Sequence, residues 1–214
     1  MPGDGKWTDT RVRKRLRLGI MGGTFDPIHY GHLVAAEEAL VQFNLDKVLF
    51  MPTGTPARKT DQRVTPAEHR YLMTVIATAS NPDFEVSRLE IDRPGVTYTV
   101  DTMTELRTRY GDSADLFFIT GADAVLEILT WKDSARLADL CTLIAATRPG
   151  YDLSPFMERP VPSGLRVETM EVPALAISST DIRARMASRR PVRYLLPEAV
   201  AAYVSKNRLY RGDG

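Results

Sequence analysis

Two histidines, His29 and His32, lie in a glycine-containing segment of a kind that binds phosphate groups. The segment opens with Gly22 and Gly23, and glycines let backbone amides approach a polyanion closely. A helical pattern begins near Gly31, and a helix amino terminus favours negative charge. The spacing at a helix start puts both imidazoles on one face, so both can donate hydrogen bonds to one phosphate chain. The segment therefore predicts a phosphate site.

Other interpretations of this segment stay open from the residues alone. The glycines could simply turn the chain, and the histidines could be satisfied polar residues or a metal-binding pair. A zinc site would have to recruit carboxylates, because Cys141 and His69 are the only further cysteine and histidine. The spacing lacks the G-x-G-x-x-G of dinucleotide-binding folds, and residues 54–60 lack the second glycine of a phosphate loop.

A hydroxyl-rich run near the C-terminus predicts a second anion site. Hydroxyls and free backbone amides at a helix start can bind an anion, with an arginine about one turn further along. An ordinary serine cap, with Asp181 complementing the helix dipole, is the alternative interpretation. The run and its arginine comprise Ile177, Ser178, Ser179, Thr180 and Arg183.

Strands that alternate with helices would position both segments. Short apolar runs predict strands at 16–21, 47–51, 84–91, 116–120, 142–147 and 166–172. Residues 52–64 form a proline-rich, basic loop, after which Thr65 and Glu68 predict a capping box at a helix start. A further helix should run from Thr99 to Tyr110 and end at Gly111. We therefore expect an α/β fold, a single Rossmann-like doubly wound parallel sheet with helices on both faces and a small C-terminal helical subregion.

Composition limits the class of protein. The chain has 214 residues, 43% hydrophobic and 26% charged, which is typical of one globular domain. We expect a flexible tail at 1–15 and one domain at 16–214. A net charge of +1 gives no general attraction to nucleic acid or membranes, and the apolar runs are too short to span a bilayer. Basic residues at 11–17 replace the apolar core of a secretory signal, so a cytoplasmic protein with a buried Cys141 thiol is expected.

The two segments together resemble the nucleotidyltransferase superfamily. The first resembles its G-x-F-x-P-x-H-x-G-H signature, and the second is similar to its I-S-S-T-x-I-R signature. Residues 97–102, residues 121–124 and the pair Trp131-Lys132 narrow the resemblance to the nicotinate-nucleotide adenylyltransferase family. The similarity runs from Arg17 nearly to the C-terminus. It implies adenylyl transfer from ATP, bound with Mg²⁺, to nicotinate mononucleotide, giving nicotinate adenine dinucleotide (deamido-NAD) and pyrophosphate in NAD biosynthesis.

The resemblance also implies a role for individual residues. Catalytic roles fall on His29, His32 and Arg183, and none of the residues is assigned as a metal ligand. ATP-binding roles fall on Gly22, Gly23, Thr24, Phe25, His29, His32, Ile177, Ser178, Ser179, Thr180 and Arg183. Nicotinate mononucleotide-binding roles fall on Lys59, Thr97, Tyr98, Asp123 and Trp131. The indole of Trp131 would stack on the pyridine ring, Asp123 would contact ribose hydroxyls, and Lys59 would hold the phosphate. Residues 55–59 depart from the family's loop, which often carries a second proline and a histidine before the lysine.

Two other functions compete with this interpretation. A transferase of the same superfamily could act on phosphopantetheine, glycerol phosphate or nicotinamide mononucleotide, although the Thr97-Tyr98 stretch and Trp131 favour a flat pyridine ring. A non-catalytic nucleotide-sensing module could use the basic residues at 11–17 on nucleic acid, but it would not require His29, His32 and Arg183. A homo-oligomer is compatible with the sequence, in which no heptad or apolar stripe stands out.

Overall fold

A computed structural model describes residues 14–56, 64–127, 133–150 and 163–211. Its strands are β1 (Leu16–Gly23), β2 (Lys47–Pro52), β3 (Thr55–Pro56), β4 (Phe84–Val86), β5 (Val96–Thr97), β6 (Ala114–Gly121), β7 (Thr142–Thr147) and β8 (Val167–Glu171). Its helices are α1 (Tyr30–Gln42), α2 (Ala67–Thr78), α3 (Leu89–Asp92), α4 (Thr99–Tyr110), α5 (Ala122–Glu127), α6 (Leu137–Leu140), α7 (Ser179–Ala187) and α8 (Glu198–Lys206). Short 3₁₀ turns lie at Gly111–Ser113 and Ser134–Arg136.

Six of the strands form one parallel sheet in the order β4-β2-β1-β6-β7-β8. The chain moves outward from β1 to β2 and β4, then returns to place β6 on the other side of β1. The strand order therefore reverses between β1 and β6, where open α/β sheets form ligand crevices at the carboxyl ends of the strands. The two remaining strands, β3 and β5, form a small parallel pair.

Side chains of the central strands alternate between two hydrophobic cores, one on each face of the sheet. Phe117 and Ile119 of β6 enter the core that holds residues of α1, α2, α7 and α8. Leu116 and Phe118 enter the other core, beneath α4 and α6. Helices therefore cover both faces, as a doubly wound sheet requires. The predicted fold class is confirmed, including the C-terminal helices α7 and α8.

Several predicted elements agree closely with the structure. The predicted strand at 142–147 coincides with β7, and α4 ends at Gly111, whose φ of 52° suits glycine and whose N–H binds the Arg107 carbonyl. Cys141 is buried, and burial raises the pKa of its thiol to about 12. Its thiol is therefore a core group.

Three local predictions were wrong. The strand predicted at 84–91 ends at Val86, and Leu89–Asp92 is a helix turn, because a short apolar run alone does not distinguish the two. Thr65 does not cap α2, since Pro66 is the N-cap and no side chain caps it, while Glu68 pairs with Arg88 at 2.6 Å. The loop predicted at 52–64 contains the short strand β3.

The predicted tail is partly outside the described residues, which begin at Lys14. Lys14 pairs with Asp46 at 3.0 Å, and Arg15 pairs with Asp115 at 3.1 Å. Within the described ranges, none of the helices has the length and apolar character that crossing a membrane demands.

Candidate active site

A cavity of about 380 Å³ opens at the carboxyl ends of β1, β6 and β7. This is within the usual volume range of ligand pockets, roughly 300–1,000 Å³. Its position coincides with the reversal of strand order, where a nucleotide site is expected. The predicted residues that line the cavity are Gly22, His29, His32 and Ile177, together with Gly31.

His29 and His32 are brought together at the first turn of α1. His29 is the N-cap residue, in extended conformation, and its N–H donates to Nδ1 of His32 at 3.2 Å. The ring centroids are 3.8 Å apart, with 31° between the ring planes. Burial lowers the pKa of His29 to about 4, so its imidazole is neutral at physiological pH. The helix amino terminus and two imidazoles therefore face one cavity.

The ring of Phe25 lies behind the histidines rather than in the cavity. It is 2% exposed and contacts His32 edge to face, with centroids 5.1 Å apart. A Cβ on Gly23 would lie 2.7 Å from this ring, so packing against Phe25 favours glycine at this position. Phe25 itself has a φ of 48°, which turns the chain from β1 towards α1. Neither Gly23, Thr24 nor Phe25 lines the cavity.

The two signature segments contact each other, although more than 150 residues separate them in the chain. The Ser179 hydroxyl donates to the Pro27 carbonyl at 2.9 Å, and Nη1 of Arg183 donates to the Asp26 carbonyl at 2.8 Å. Nη2 of Arg183 lies 3.3 Å from the Thr180 hydroxyl. The serine segment thus fixes the β1–α1 loop against the start of α7.

Ser178 also forms the helix cap that was the alternative interpretation of this segment. Its hydroxyl accepts the Asp181 N–H at 3.1 Å, while the Asp181 carboxylate pairs with Arg185 at 2.6 Å. A capping serine and an anion site are compatible, since a helix start has several orphan N–H groups and the cap satisfies only one.

The predicted acceptor segment lies at the end of β2, on the other side of β1 from the cavity's β6 and β7. Thr97 belongs to β5, which pairs with β3. Its hydroxyl is buried and has no hydrogen-bond partner among the described residues. Thr97 and Tyr98 do not line the cavity. The end of β1 separates the two regions, and both the N–H and the hydroxyl of Thr53 bind the Gly23 carbonyl there, at 2.9 and 3.1 Å.

Three predicted acceptor residues cannot be placed in this geometry. Lys59 and Trp131 lie outside the described residues, and so does the side chain of Asp123. The backbone of Asp123 belongs to α5, directly after β6.

Four polar residues near the site were not predicted from the sequence. Arg148 lines the cavity just after β7, and a basic residue at the carboxyl end of a parallel strand was the available signal. Asp26 is 3% exposed, and its carboxylate accepts the Tyr210 hydroxyl at 2.6 Å. Arg70 lies on the face of α2 that also buries Met73 and other core residues, and a cation at such a position was a second signal.

The described residues offer no protein site for a metal ion. They contain no group of three or more His, Cys, Asp or Glu side chains that could hold one. Among the described residues, those that line the cavity include no carboxylate.

Comparison with known proteins places this geometry in a family. Residues 20–185 match the family described as Cytidylyltransferase-like. A relative from Moorella thermoacetica, named "Probable nicotinate-nucleotide adenylyltransferase", is 60% identical over 199 residues, covering 91% of this chain and 92% of its own. A relative of the same name from Corynebacterium glutamicum is 53% identical over 209 residues, covering 96% and 93%.

A solved structure supports the fold. Plasmodium falciparum nicotinic acid mononucleotide adenylyltransferase complexed with NaAD has a TM-score of 0.74 at 19% identity, over 92% of this chain and 98% of that chain. At that identity the likeness concerns the fold, whereas the relatives above share half or more of their residues with this chain over nearly its whole length. The chain therefore belongs to the cytidylyltransferase-like nucleotidyltransferases and, within them, to the nicotinate-nucleotide adenylyltransferase family.

Proposed function

We propose that the protein transfers the adenylyl group of ATP to nicotinate mononucleotide, forming nicotinate adenine dinucleotide and releasing pyrophosphate. The observation that carries the proposal is the meeting of the two signature segments, through Ser179 and Arg183, beside a cavity lined by His29 and His32. The relatives' names supply the acceptor, and the complex of the Plasmodium protein with NaAD is consistent with the product.

In this reaction the substrate supplies the nucleophile. A phosphate oxygen of nicotinate mononucleotide attacks the α-phosphorus of ATP, and the bond from that phosphorus to the bridging oxygen of pyrophosphate breaks. The protein is then required to align two anions and to stabilise charge on the reacting phosphates. No covalent enzyme intermediate is needed.

The residues around the cavity suit that task. His29, whose imidazole is neutral, and His32 lie at the start of α1 and would donate hydrogen bonds to the α- and β-phosphates, reinforced by the helix amino terminus. The start of α7, with Ser179, Thr180 and Arg183, would hold the departing pyrophosphate. Arg148 at the cavity edge adds a cation near the phosphates.

Nicotinate mononucleotide is proposed to bind the segment that contains Thr97 and Tyr98, at the end of β2. The buried Thr97 hydroxyl, which lacks a partner among the described residues, could bind the nicotinate carboxylate together with backbone amides near Tyr98. Lys59, Asp123 and Trp131 are proposed to bind the phosphate, the ribose and the pyridine ring of the mononucleotide. Mg²⁺ is proposed to enter as part of the ATP complex, shielding the charge of pyrophosphate.

The remaining sequence-based expectations belong to the same proposal. They are a tail at 1–15 followed by one catalytic domain, a cytoplasmic location, no nucleic-acid or membrane partner, and compatibility with a homo-oligomer.

The test is pyrophosphate release from ATP and Mg²⁺ with three acceptors at matched concentrations: nicotinate mononucleotide, nicotinamide mononucleotide and phosphopantetheine. We expect a strong preference for nicotinate mononucleotide. Activity with another acceptor alone would leave the ATP site standing and overturn the roles of Thr97, Tyr98 and Trp131. No release with any acceptor would overturn the reaction itself.

A further inference from the structure

Arg70 is a fully buried arginine, 1% exposed, in the middle of α2. Its guanidinium donates to three backbone carbonyls, each at 2.8 Å: Nε to Thr65, Nη1 to Thr24 and Nη2 to Gly54. Burial lowers the pKa of Arg70, because a charged guanidinium loses its hydration in the interior. An apolar residue would fill this core position of the helix at a lower desolvation cost. The guanidinium is therefore needed for the geometry of its three hydrogen bonds.

The three carbonyls belong to three different segments. Thr24 follows the glycine turn at the end of β1, Gly54 follows the end of β2, and Thr65 precedes α2. A planar fork of five donors can hold three acceptors at fixed angles, whereas the single ammonium of lysine cannot reproduce that geometry. Arg70 is therefore a rigid connection between the ends of two neighbouring strands and the start of α2.

Asp26 completes the connection. Its buried carboxylate accepts the Thr65 N–H at 3.2 Å and the Tyr210 hydroxyl at 2.6 Å, and its charge partly offsets the burial of Arg70. Thr65 is thus held by both its N–H and its carbonyl. The Asp26 carbonyl in turn accepts Nη1 of Arg183. The connection made by Arg70 therefore reaches the serine segment as well as the glycine turn.

We propose that Arg70 is a positioning residue for adenylyl transfer, a role that rests on the proposed function. The ATP cavity lies on the β6 side of β1, and the acceptor segment lies at the end of β2. Arg70 joins Thr24, directly after β1, to Gly54, shortly after β2, and so fixes the spacing of the two strand ends beside which the two nucleotides would bind. An in-line attack depends on that spacing, and a displacement of about 1 Å can cost roughly 100-fold in rate.

Arg107 provides a matched control at the opposite end of the sheet. Its guanidinium also donates to three backbone carbonyls, those of Gly111, Ala114 and Leu140, at 3.0, 2.9 and 2.8 Å. Ala114 is the first residue of β6, so this cluster lies at the amino ends of the strands, away from the cavity. Arg107→Lys removes a comparable set of hydrogen bonds without touching the site.

The experiment compares Arg70→Lys with Arg107→Lys by thermal unfolding, by steady-state kinetics well below the lower Tm, and by calorimetric binding of a non-reacting ATP analogue. We expect kcat to fall about 20-fold or more in Arg70→Lys, with a smaller rise in KM, and to stay within about 2-fold in Arg107→Lys. We expect the analogue to bind at least about 3-fold more weakly to Arg70→Lys. Equal kcat values in the two variants, or an unchanged kcat in Arg70→Lys, would overturn the proposal.

Asp26→Asn keeps the test decisive if Arg70→Lys does not fold. It retains the shape of the side chain but removes the charge that offsets Arg70, and we expect the same selective loss of kcat, by about 10-fold. An Asp26→Asn protein with wild-type kcat would then overturn the proposal. Failure of the proposed function is separately visible, because the wild-type protein itself would lack activity with nicotinate mononucleotide.

Discussion

The backbone N–H of His29 donates to Nδ1 of His32 at 3.2 Å. A ring nitrogen that accepts a hydrogen bond carries no proton, so the geometry places the ring N–H of His32 at Nε2. The local structure of the helix start therefore selects the tautomer of a residue that lines the cavity. In the proposed reaction, Nε2 of His32 would therefore be the hydrogen-bond donor to an ATP phosphate.

The variant His32→Asn separates hydrogen-bond acceptance at Nδ1 from hydrogen-bond donation at Nε2. The asparagine oxygen can accept the His29 N–H as Nδ1 does, but the side chain lacks the donor at Nε2. We expect near-native stability and a kcat about 100-fold lower, the usual loss for a donor to developing charge. Thermal unfolding and steady-state kinetics measure the two effects. His32→Asn with a kcat within about 3-fold of the wild-type value would refute the catalytic role.

Glu90 should make the stability depend on pH. It is buried beside Thr102, whose hydroxyl donates to it at 2.7 Å, and burial raises its pKa from 4.5 to about 7. A carboxyl with a raised folded-state pKa stabilises the fold below its unfolded pKa, and that contribution is lost as the pH rises through 7.

Glu90→Gln should therefore be more stable than the wild type at pH 8, by on the order of 3 kcal/mol, and nearly equal to it at pH 5. Urea denaturation at several pH values measures the difference in the free energy of unfolding. His29 contributes a pH dependence of opposite sign, but this contribution cancels because both proteins contain His29. Glu105→Gln, at a partly exposed carboxylate that pairs with Arg93, is the control. Parallel pH curves for wild type and Glu90→Gln would show that Glu90 does not titrate as argued.

Gly54 is fixed as glycine by a close approach to α3. A Cβ at this position would lie 2.2 Å from the Glu90 carbonyl oxygen. We expect Gly54→Ala to lower the free energy of unfolding by about 3 kcal/mol, because backbone must move. Gly95→Ala meets no atom within 4 Å and carries only the strain of a φ of 86°, about 1 kcal/mol. Chemical denaturation that ranks the two variants in the reverse order would contradict this account.

Ser178 allows the helix cap and the anion site to be separated. Ser178→Ala should lose about 1 kcal/mol of stability with its cap, whereas Ser178→Asp should retain it, since aspartate caps as well as serine. The aspartate charge would repel pyrophosphate, so we expect KM for ATP to rise about 10-fold in Ser178→Asp alone. An unchanged KM in that variant would argue against an anion site at the start of α7.

The order of strands and helices could be predicted because each central strand is a short apolar run with a clear end. The run at 142–147 is followed by the turn residues Arg148, Pro149 and Gly150 and coincides with β7. Residues 84–91 gave a wrong prediction, since the two apolar residues Leu89 and Ile91 fit one helix turn as well as a strand. Tertiary contacts determine that this segment is a helix turn, because Gly54 packs against α3.

The candidate site also contains some residues that could be predicted from the sequence and others that could not. His29, His32, Ser179 and Arg183 belong to local motifs, so their types and spacing were visible in the sequence. Arg70 binds backbone carbonyls of residues up to 46 positions away. Every residue has a backbone carbonyl, so the residue types do not show which ones Arg70 binds. Tyr210 reaches Asp26 from 184 positions away, so its contact depends on the complete fold.

The most direct test of the central claim is the fate of the α-phosphorus of ATP. The protein would be incubated with nicotinate mononucleotide, Mg²⁺ and ATP carrying radioactive phosphorus at either the α or the γ position, with His32→Asn as the matched variant. We predict that the α label appears in the dinucleotide and the γ label in pyrophosphate, both much more slowly with His32→Asn. A γ label transferred to the mononucleotide, or an α label released as free AMP without dinucleotide, would contradict adenylyl transfer at this site.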